Sequence, residues 1–156
     1  MTRLLDKFLQ LLMVTCMASM VAVVTWQVIS RYALGDPSQW TEEVARMLLI
    51  WLGLLGGTYA YREKAHLGLD LLFQKCGPVG RKRLNMITDI CCGAFALAVL
   101  VVGGGALVQL TWELKQTTAA LGIPMAWVYT VLPISGLLIV YYSIASLVSG
   151  EVEAGT

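Results

Sequence analysis

Charged residues are scarce in this sequence. They make up 13% of the chain, whereas hydrophobic residues make up 58%, and a soluble globular domain carries about 25% charged residues. The charges that are present are clustered, so that residues 8–30, 47–61, 90–112 and 116–150 contain none. This distribution argues against a water-soluble domain and predicts an integral membrane protein.

Residues that commonly carry out chemistry are also rare. A single histidine argues against a bis-histidine haem anchor, and four cysteines without CxxC spacing argue against a disulfide oxidase. The first apolar run lacks the deep carboxylate that a small proton-coupled exporter would need, and no nucleophile–base set can be assembled. The net charge of +1 gives no indication of nucleic-acid binding. The sequence therefore does not indicate an enzyme.

The apolar runs predict four transmembrane helices, at about residues 8–30, 42–62, 84–112 and 124–148. About 20 apolar residues are needed to cross the hydrocarbon layer. The second run is shorter, but Arg46 and Arg62 at its ends can extend to the headgroups. No small-residue cleavage site follows the first run, so we expect an uncleaved span. The expected fold is an all-α, single-domain, four-span membrane protein with a short acidic tail at 149–156.

The basic residues predict the orientation of the chain. Eight of the 11 lysine and arginine residues precede the first span or lie between the second and third spans. Because cytoplasmic loops are enriched in basic residues, both termini are expected in the cytoplasm. The segment 62–83 mixes leucines with polar residues and is expected to lie in the membrane interface. We expect the third helix to begin near Leu84, and Asp89 to reach headgroups or pair with the basic residues 81–83.

Charges also meet at the predicted outer side. Arg31 ends the first helix, and Glu42 and Glu43 open the second, where the helix dipole favours anions. Arg46 follows one turn later and can pair with either acid. We expect these four residues to form a charge network that holds the start of the second helix against the end of the first. The alternative is a solvated helix start with ordinary surface ion pairs.

Small residues and prolines predict packing features. Gly53 and Gly57 have the GxxxG spacing that lets a second helix approach, either within this chain or from a partner. The glycine run 103–105 permits close packing or a bend in the third helix. Pro124 is expected at or near the start of the fourth helix, and Pro133 is expected to kink it.

Four local features, in order along the chain, resemble a known family. They are Arg31-Tyr32 at the end of the first helix; Trp40-x-Glu42-Glu43-x-Ala45-Arg46 at the start of the second; Gly56, Arg62 and His66-x-x-x-Asp70 after it; and Gly122-Ile123-Pro124-x-x-Trp127 with Pro133 in the fourth. Together they resemble the small membrane subunit (DctQ-like) of tripartite ATP-independent periplasmic (TRAP) transporters.

The resemblance implies a role in a secondary-active, binding-protein-dependent transporter of the bacterial cytoplasmic membrane. It implies a large multi-span partner subunit that carries the substrate and sodium sites, and a periplasmic binding protein that delivers a carboxylate such as a dicarboxylate or sialic acid. The small subunit would brace the large one and help form the docking surface for the binding protein. No catalytic residue, cofactor or metal site is expected in this chain.

The residues expected to have structural or subunit-contact roles are Arg31, Trp40, Glu42, Glu43, Arg46, Gly53, Gly57, His66, Asp70 and Trp127. The alternative function is that of a stand-alone four-helix membrane protein, either a small exporter or a redox membrane anchor.

Overall fold

Helices dominate the part of the chain that the computed structural model describes, which comprises residues 2–35, 38–63 and 78–152. No strand is formed in these ranges, apart from a single isolated bridge between Thr117 and Pro124. The all-α fold class is confirmed. The elements are α1 (Thr2–Tyr32), α2 (Gln39–Arg62), α3 (Pro78–Phe95), a π-helical segment (Ala96–Gly103), α4 (Gly104–Glu113), α5 (Met125–Tyr129) and α6 (Val131–Val152).

Within the described residues, four helical stretches are long and apolar enough to cross a membrane, as the charge-free runs predict. Span 1 is Leu5–Tyr32, span 2 is Gln39–Arg62, span 3 is Arg83–Glu113 and span 4 is Met125–Val148. Their apolar side chains point largely outward, which is the arrangement that a lipid environment permits. The four-span membrane fold follows from these lengths.

The helix that contains span 3 begins earlier than expected and changes its helical type midway. α3 starts at Pro78 rather than near Leu84, because proline is well accepted in the first turn of a helix, where its missing N–H is not needed. The backbone then runs without a break through the π-helical segment into α4. The basic residues 81–83 therefore belong to this helix.

The glycine run produces close packing at one position. A Cβ added at Gly104 would lie 2.8 Å from Leu132 Cβ and 3.2 Å from Pro133 Cδ. Real Cβ atoms do not approach so closely, so only glycine lets α6 begin this near to span 3. At Gly105 an added Cβ would meet nothing within 4 Å. The close-packing expectation is thus met at Gly104.

Span 4 departs from a regular α-helix at one residue, Thr130, whose φ of −58° and ψ of −22° remain helical. Pro124 immediately precedes α5, and the chain turns at Thr130 before α6 begins at Val131. The cause is Pro133, which cannot donate to a carbonyl four residues back and whose ring clashes with that carbonyl, here that of Tyr129. α5 therefore ends at Tyr129.

The spans pack in the order 1-2-4-3. Span 1 packs on span 2, span 2 packs on α6, and α6 packs on α3 and the π-helical segment. Spans 2 and 3 both lie against span 4 but hardly touch each other, so a groove separates them. The buried apolar core lies around span 4 and its neighbours, and contains Leu9, Leu55, Tyr61, Val131 and Tyr142.

Two predicted features lie outside the described residues. One is residues 64–77, the larger part of the expected interfacial segment, which contains His66 and Asp70. The other is the end of the acidic tail, residues 153–156.

Candidate functional site

The predicted ion pair at the start of α2 is formed by Glu42 and Arg46. Arg46 Nη2 lies 3.0 Å from Glu42 Oε1, and both side chains are about two-thirds exposed (66% for Glu42 and 68% for Arg46). An exposed i,i+4 pair of this kind adds little stability. The pair lies on the exposed surface of α2 and does not hold α2 against another helix.

Glu43 has different partners from those expected. Its Oε1 accepts the Ala120 N–H at 2.7 Å, and its Oε2 accepts the Leu121 N–H at 3.1 Å. Hydrogen bonds from backbone amides to a carboxylate are stronger than neutral ones. Glu43 therefore ties the start of α2 to the loop between spans 3 and 4, and not to Arg46.

Arg31 does not join the other charges. Its guanidinium carbon lies 5.9 Å from the centre of the Tyr32 ring, a cation–π contact. Among the described residues, neither Glu42 nor Glu43 forms an ion pair with Arg31. The expected four-residue network is thus wrong, because the loop amides occupy Glu43 and the neighbouring aromatic ring occupies Arg31.

The loop that Glu43 holds is itself well ordered by hydrogen bonds, and is called here the outer loop (residues 114–124). The Thr118 N–H donates to the Ile123 carbonyl at 2.9 Å, and the Ile123 N–H donates to Thr118 Oγ1 at 3.1 Å. Gly122 has a φ of +66°, a left-handed conformation that a residue with a Cβ rarely adopts. This need explains the glycine at position 122.

A buried ionic cluster joins the opposite ends of three spans. The Asp6 side chain is 7% exposed and forms an ion pair with Arg62, while the Tyr142 hydroxyl donates to Asp6 Oδ1 at 2.9 Å. Because a buried carboxylate needs such partners, this inner cluster (Asp6, Arg62, Tyr142) fixes spans 1, 2 and 4 together. Sequence reasoning missed Asp6, although an acid two residues before a long charge-free run is a usable signal.

Asp89 forms a second cluster beside the first. Its Oδ1 accepts the Tyr61 hydroxyl at 2.9 Å and its Oδ2 accepts the Ser146 hydroxyl at 2.7 Å. The Ser143 hydroxyl donates to the Asp89 backbone carbonyl at 2.6 Å, and Gly93 leaves room for it, since a Cβ there would lie 2.7 Å from Ser143 Oγ. The observed partners of Asp89 are therefore hydroxyls of spans 2 and 4. Pairing with residues 81 and 82 stays a prediction, because their side chains lie outside the part of the chain that the structure describes.

The remaining predicted contact residues are open to the surroundings. Trp40 is 45% exposed and Trp127 is 61% exposed, and an added Cβ at Gly53 or Gly57 would meet nothing within 4 Å. A subunit-contact role for these residues stays a prediction. Across residues 2–35, 38–63 and 78–152, no three histidine, cysteine, aspartate or glutamate side chains come close enough to hold a metal ion.

These observations define a class: a four-span integral membrane protein whose polar side chains join its own helices and its outer loop. The match to a family is direct. Residues 20–151 match the family "Tripartite ATP-independent periplasmic transporters, DctQ component", and the chain therefore belongs to the DctQ family. The resemblance that its motifs indicate is confirmed, and the family is that of a transporter membrane subunit.

Individual relatives agree with the family. The chain is 30% identical to the sialic acid TRAP transporter small permease protein SiaQ of Vibrio cholerae over 89% of this chain and 79% of the relative. It is 29% identical to the ectoine TRAP transporter small permease protein TeaB of Halomonas elongata over 83% of this chain and 68% of the relative.

One relative is much longer. The chain is 31% identical to the isethionate TRAP transporter permease protein DctMQ of Oleidesulfovibrio alaskensis, over 82% of this chain but only 21% of the relative. The small-subunit region is thus one part of a larger permease chain in that protein. TRAP small subunits accordingly partner with a large permease subunit.

Proposed function

We propose that this chain braces the large permease subunit of a TRAP transporter in the bacterial cytoplasmic membrane. In this proposal it also contributes to the docking surface for a periplasmic substrate-binding protein, during ion-coupled uptake of a carboxylate. The observation that carries the proposal is the family match over residues 20–151. The coupling ion, expected to be sodium, and the substrate are assigned to the large subunit.

A bracing role is supported by the way in which this chain uses its polar groups within the membrane. The hydroxyls of Thr15, Thr25, Thr58 and Thr111 each donate to a carbonyl four residues earlier on their own helix. A transporter that binds substrate needs polar groups directed into a cavity near the membrane midplane. Here these four hydroxyls donate within their own helices, and other hydroxyls of the spans donate to Asp6 or Asp89 of a neighbouring span.

A docking role is supported by the construction of the outer loop. Glu43, Thr118 and Gly122 give it a fixed shape, and Trp127 stands exposed beside it. A preorganised surface loses less conformational entropy when a protein partner binds. The expected orientation, with both termini in the cytoplasm, places this loop on the periplasmic side.

The substrate is assigned only as a class. The relatives are named for sialic acid, ectoine and isethionate, which are chemically different molecules. A carboxylate is proposed because the motif resemblance implies it, and uptake by the assembled complex is the measurement that decides.

The test is reconstitution of the complete system in proteoliposomes. We expect uptake of a radiolabelled carboxylate to require this chain, the large subunit, the binding protein and an inward sodium gradient together. Full uptake by the large subunit and binding protein without this chain would contradict a bracing role. Micromolar binding of the substrate to this chain alone, measured by calorimetry, would contradict the assignment of the substrate site to the large subunit.

A further inference from the structure

A groove lies between spans 2 and 3, and the described helices of this chain leave it unfilled. It has a volume of about 400 Å³. Span 2 forms one wall with Gly53 and Gly57, span 3 forms the other with Phe95, and span 4 forms the floor with Ser135 and Ile139. Its lining is almost wholly apolar.

The groove has closed and open sides. The hydrogen bond from Tyr61 to Asp89 joins spans 2 and 3 at one end, and Tyr61 also lines the groove there. The floor is fully packed, since Ser135 is 0% exposed and donates to the Leu132 carbonyl. The walls are open, because Phe95 is 60% exposed and an added Cβ at Gly53 or Gly57 would meet none of the described residues within 4 Å.

Three occupants are conceivable in a membrane: an acyl chain, a second copy of this chain, or a helix of another protein. Two glycines one turn apart on a wall permit a helix backbone to approach closely, and such contact drives helix association in lipid. The lining carries no charge, so a helix that occupies the groove has to be apolar on the face that enters it. The small-subunit region of the relative DctMQ is one part of a much longer permease chain, so in that protein the rest of the permease is its permanent neighbour.

We propose that the groove between spans 2 and 3 receives one apolar transmembrane helix of the large permease subunit, with Gly53 and Gly57 as its closest contacts. This inference rests on the proposed function and gives the brace its contact surface. The occupying helix lies over span 4 and completes a bundle that this chain alone leaves open. Larger side chains at positions 53 and 57 keep it out.

The test combines groove-filling variants with photo-cross-linking. Gly53→Leu and Gly57→Leu are compared with Gly56→Leu, a matched control, because Gly56 lies on the same helix with equally open space and does not line the groove. Each variant is co-expressed with the large subunit, and co-purification is quantified. We expect the first two to lower recovery of the large subunit by about tenfold, the change from losing a little over 1 kcal/mol of packing, and Gly56→Leu to leave it unchanged. The variants expressed alone should elute as monodisperse protein, which shows that the fold is kept.

In the second arm, Phe95 is replaced by p-benzoylphenylalanine and membranes are irradiated. We expect a covalent product with the large subunit that Gly57→Leu abolishes and Gly56→Leu retains. If the complex co-purifies but no such product forms, or if all three leucine variants assemble normally, the groove assignment is overturned. A product with the mass of two copies of this chain overturns it in favour of self-association. Failure of the wild-type chain to co-purify with the large subunit would instead overturn the proposed function.

Discussion

At the scale of single residues, the two neighbouring acids at the start of α2 have different roles. Glu42 pairs with Arg46 on the helix surface, whereas Glu43 holds two amides of the outer loop, 77 and 78 positions away in the sequence. The first pairing follows from helical periodicity alone. The second could not be predicted, because the loop amides carry no side-chain signal and their position depends on how spans 2 and 4 pack.

The difference between the two acids can be measured. Glu43→Ala removes both hydrogen bonds to the outer loop, so we expect a lower melting temperature in detergent and faster proteolysis within residues 114–124. Glu42→Ala removes only an exposed ion pair and should change neither property appreciably. Equal effects of the two substitutions would show that Glu43 does not hold the loop.

The inner cluster allows a second prediction at this scale. Asp6→Ala removes the acceptor of the Tyr142 hydroxyl and one of the two ion pairs of Arg62, which keeps its pair with Glu63, and should lower the free energy of unfolding by about 1–3 kcal/mol. Tyr142→Phe removes one hydroxyl and keeps the ion pair, so about 1 kcal/mol is expected. Reversible unfolding in detergent and denaturant gives both values, and a double-mutant cycle between positions 6 and 62 gives the coupling energy. A coupling near zero would mean that the ion pair is not formed in the folded protein.

At the scale of elements, the sequence predicts where the spans lie, but it predicts only some of the breaks within them. Charge-free runs determine where a helix can cross the membrane, because hydrocarbon excludes ionised groups. The effect of Pro133 could be expected in kind, although the turn at Thr130 depends on where the proline ring meets a carbonyl. Asp89 was placed correctly in span 3, but its hydroxyl partners come from other spans and no local pattern identifies them.

A pair of adjacent glycines tests the packing of span 3 against α6. Gly104→Ala forces a Cβ to within 2.8 Å of Leu132 Cβ and should cost about 1–3 kcal/mol through overpacking. Gly105→Ala has open space and should be neutral or stabilise by about 0.5–1 kcal/mol, since alanine is the better helix former. Thermal unfolding of the two variants in the same detergent compares them directly. A neutral Gly104→Ala would contradict the close approach of α6.

At the scale of the whole molecule, the order 1-2-4-3 leaves this chain more open than a closed four-helix bundle. Hydrophobic periodicity indicates that four helices exist but does not say which of them touch, since lipid and a neighbouring helix accept the same side chains. The family resemblance, by contrast, was available from motifs and needed no packing. The predicted orientation of the chain does not depend on packing either, because it is based on the positions of the basic residues alone.

The orientation predicts a labelling pattern. Single cysteines are introduced at Gly35, at Leu114 and at Lys7 in a chain whose native cysteines are replaced. A membrane-impermeant maleimide applied to spheroplasts should label positions 35 and 114 but not position 7, because both loops are expected on the periplasmic side. Lysed cells provide the control in which all three react. Labelling of position 7 alone in intact spheroplasts would reverse the topology.

The π-helical segment has a consequence for insertions and deletions. A π-helical turn holds more residues than an α-helical turn. The segment Ala96–Gly103 therefore has the effect of one residue inserted into an α-helix, and in this register Gly104 faces Leu132. Deleting one residue within this segment can be absorbed by a return to α-helix, with the same face still directed at span 4. Deleting one residue from α3 or α6 would instead rotate every later side chain of that helix by about 100°. Span 3 therefore tolerates a change of length at its centre that its neighbours do not.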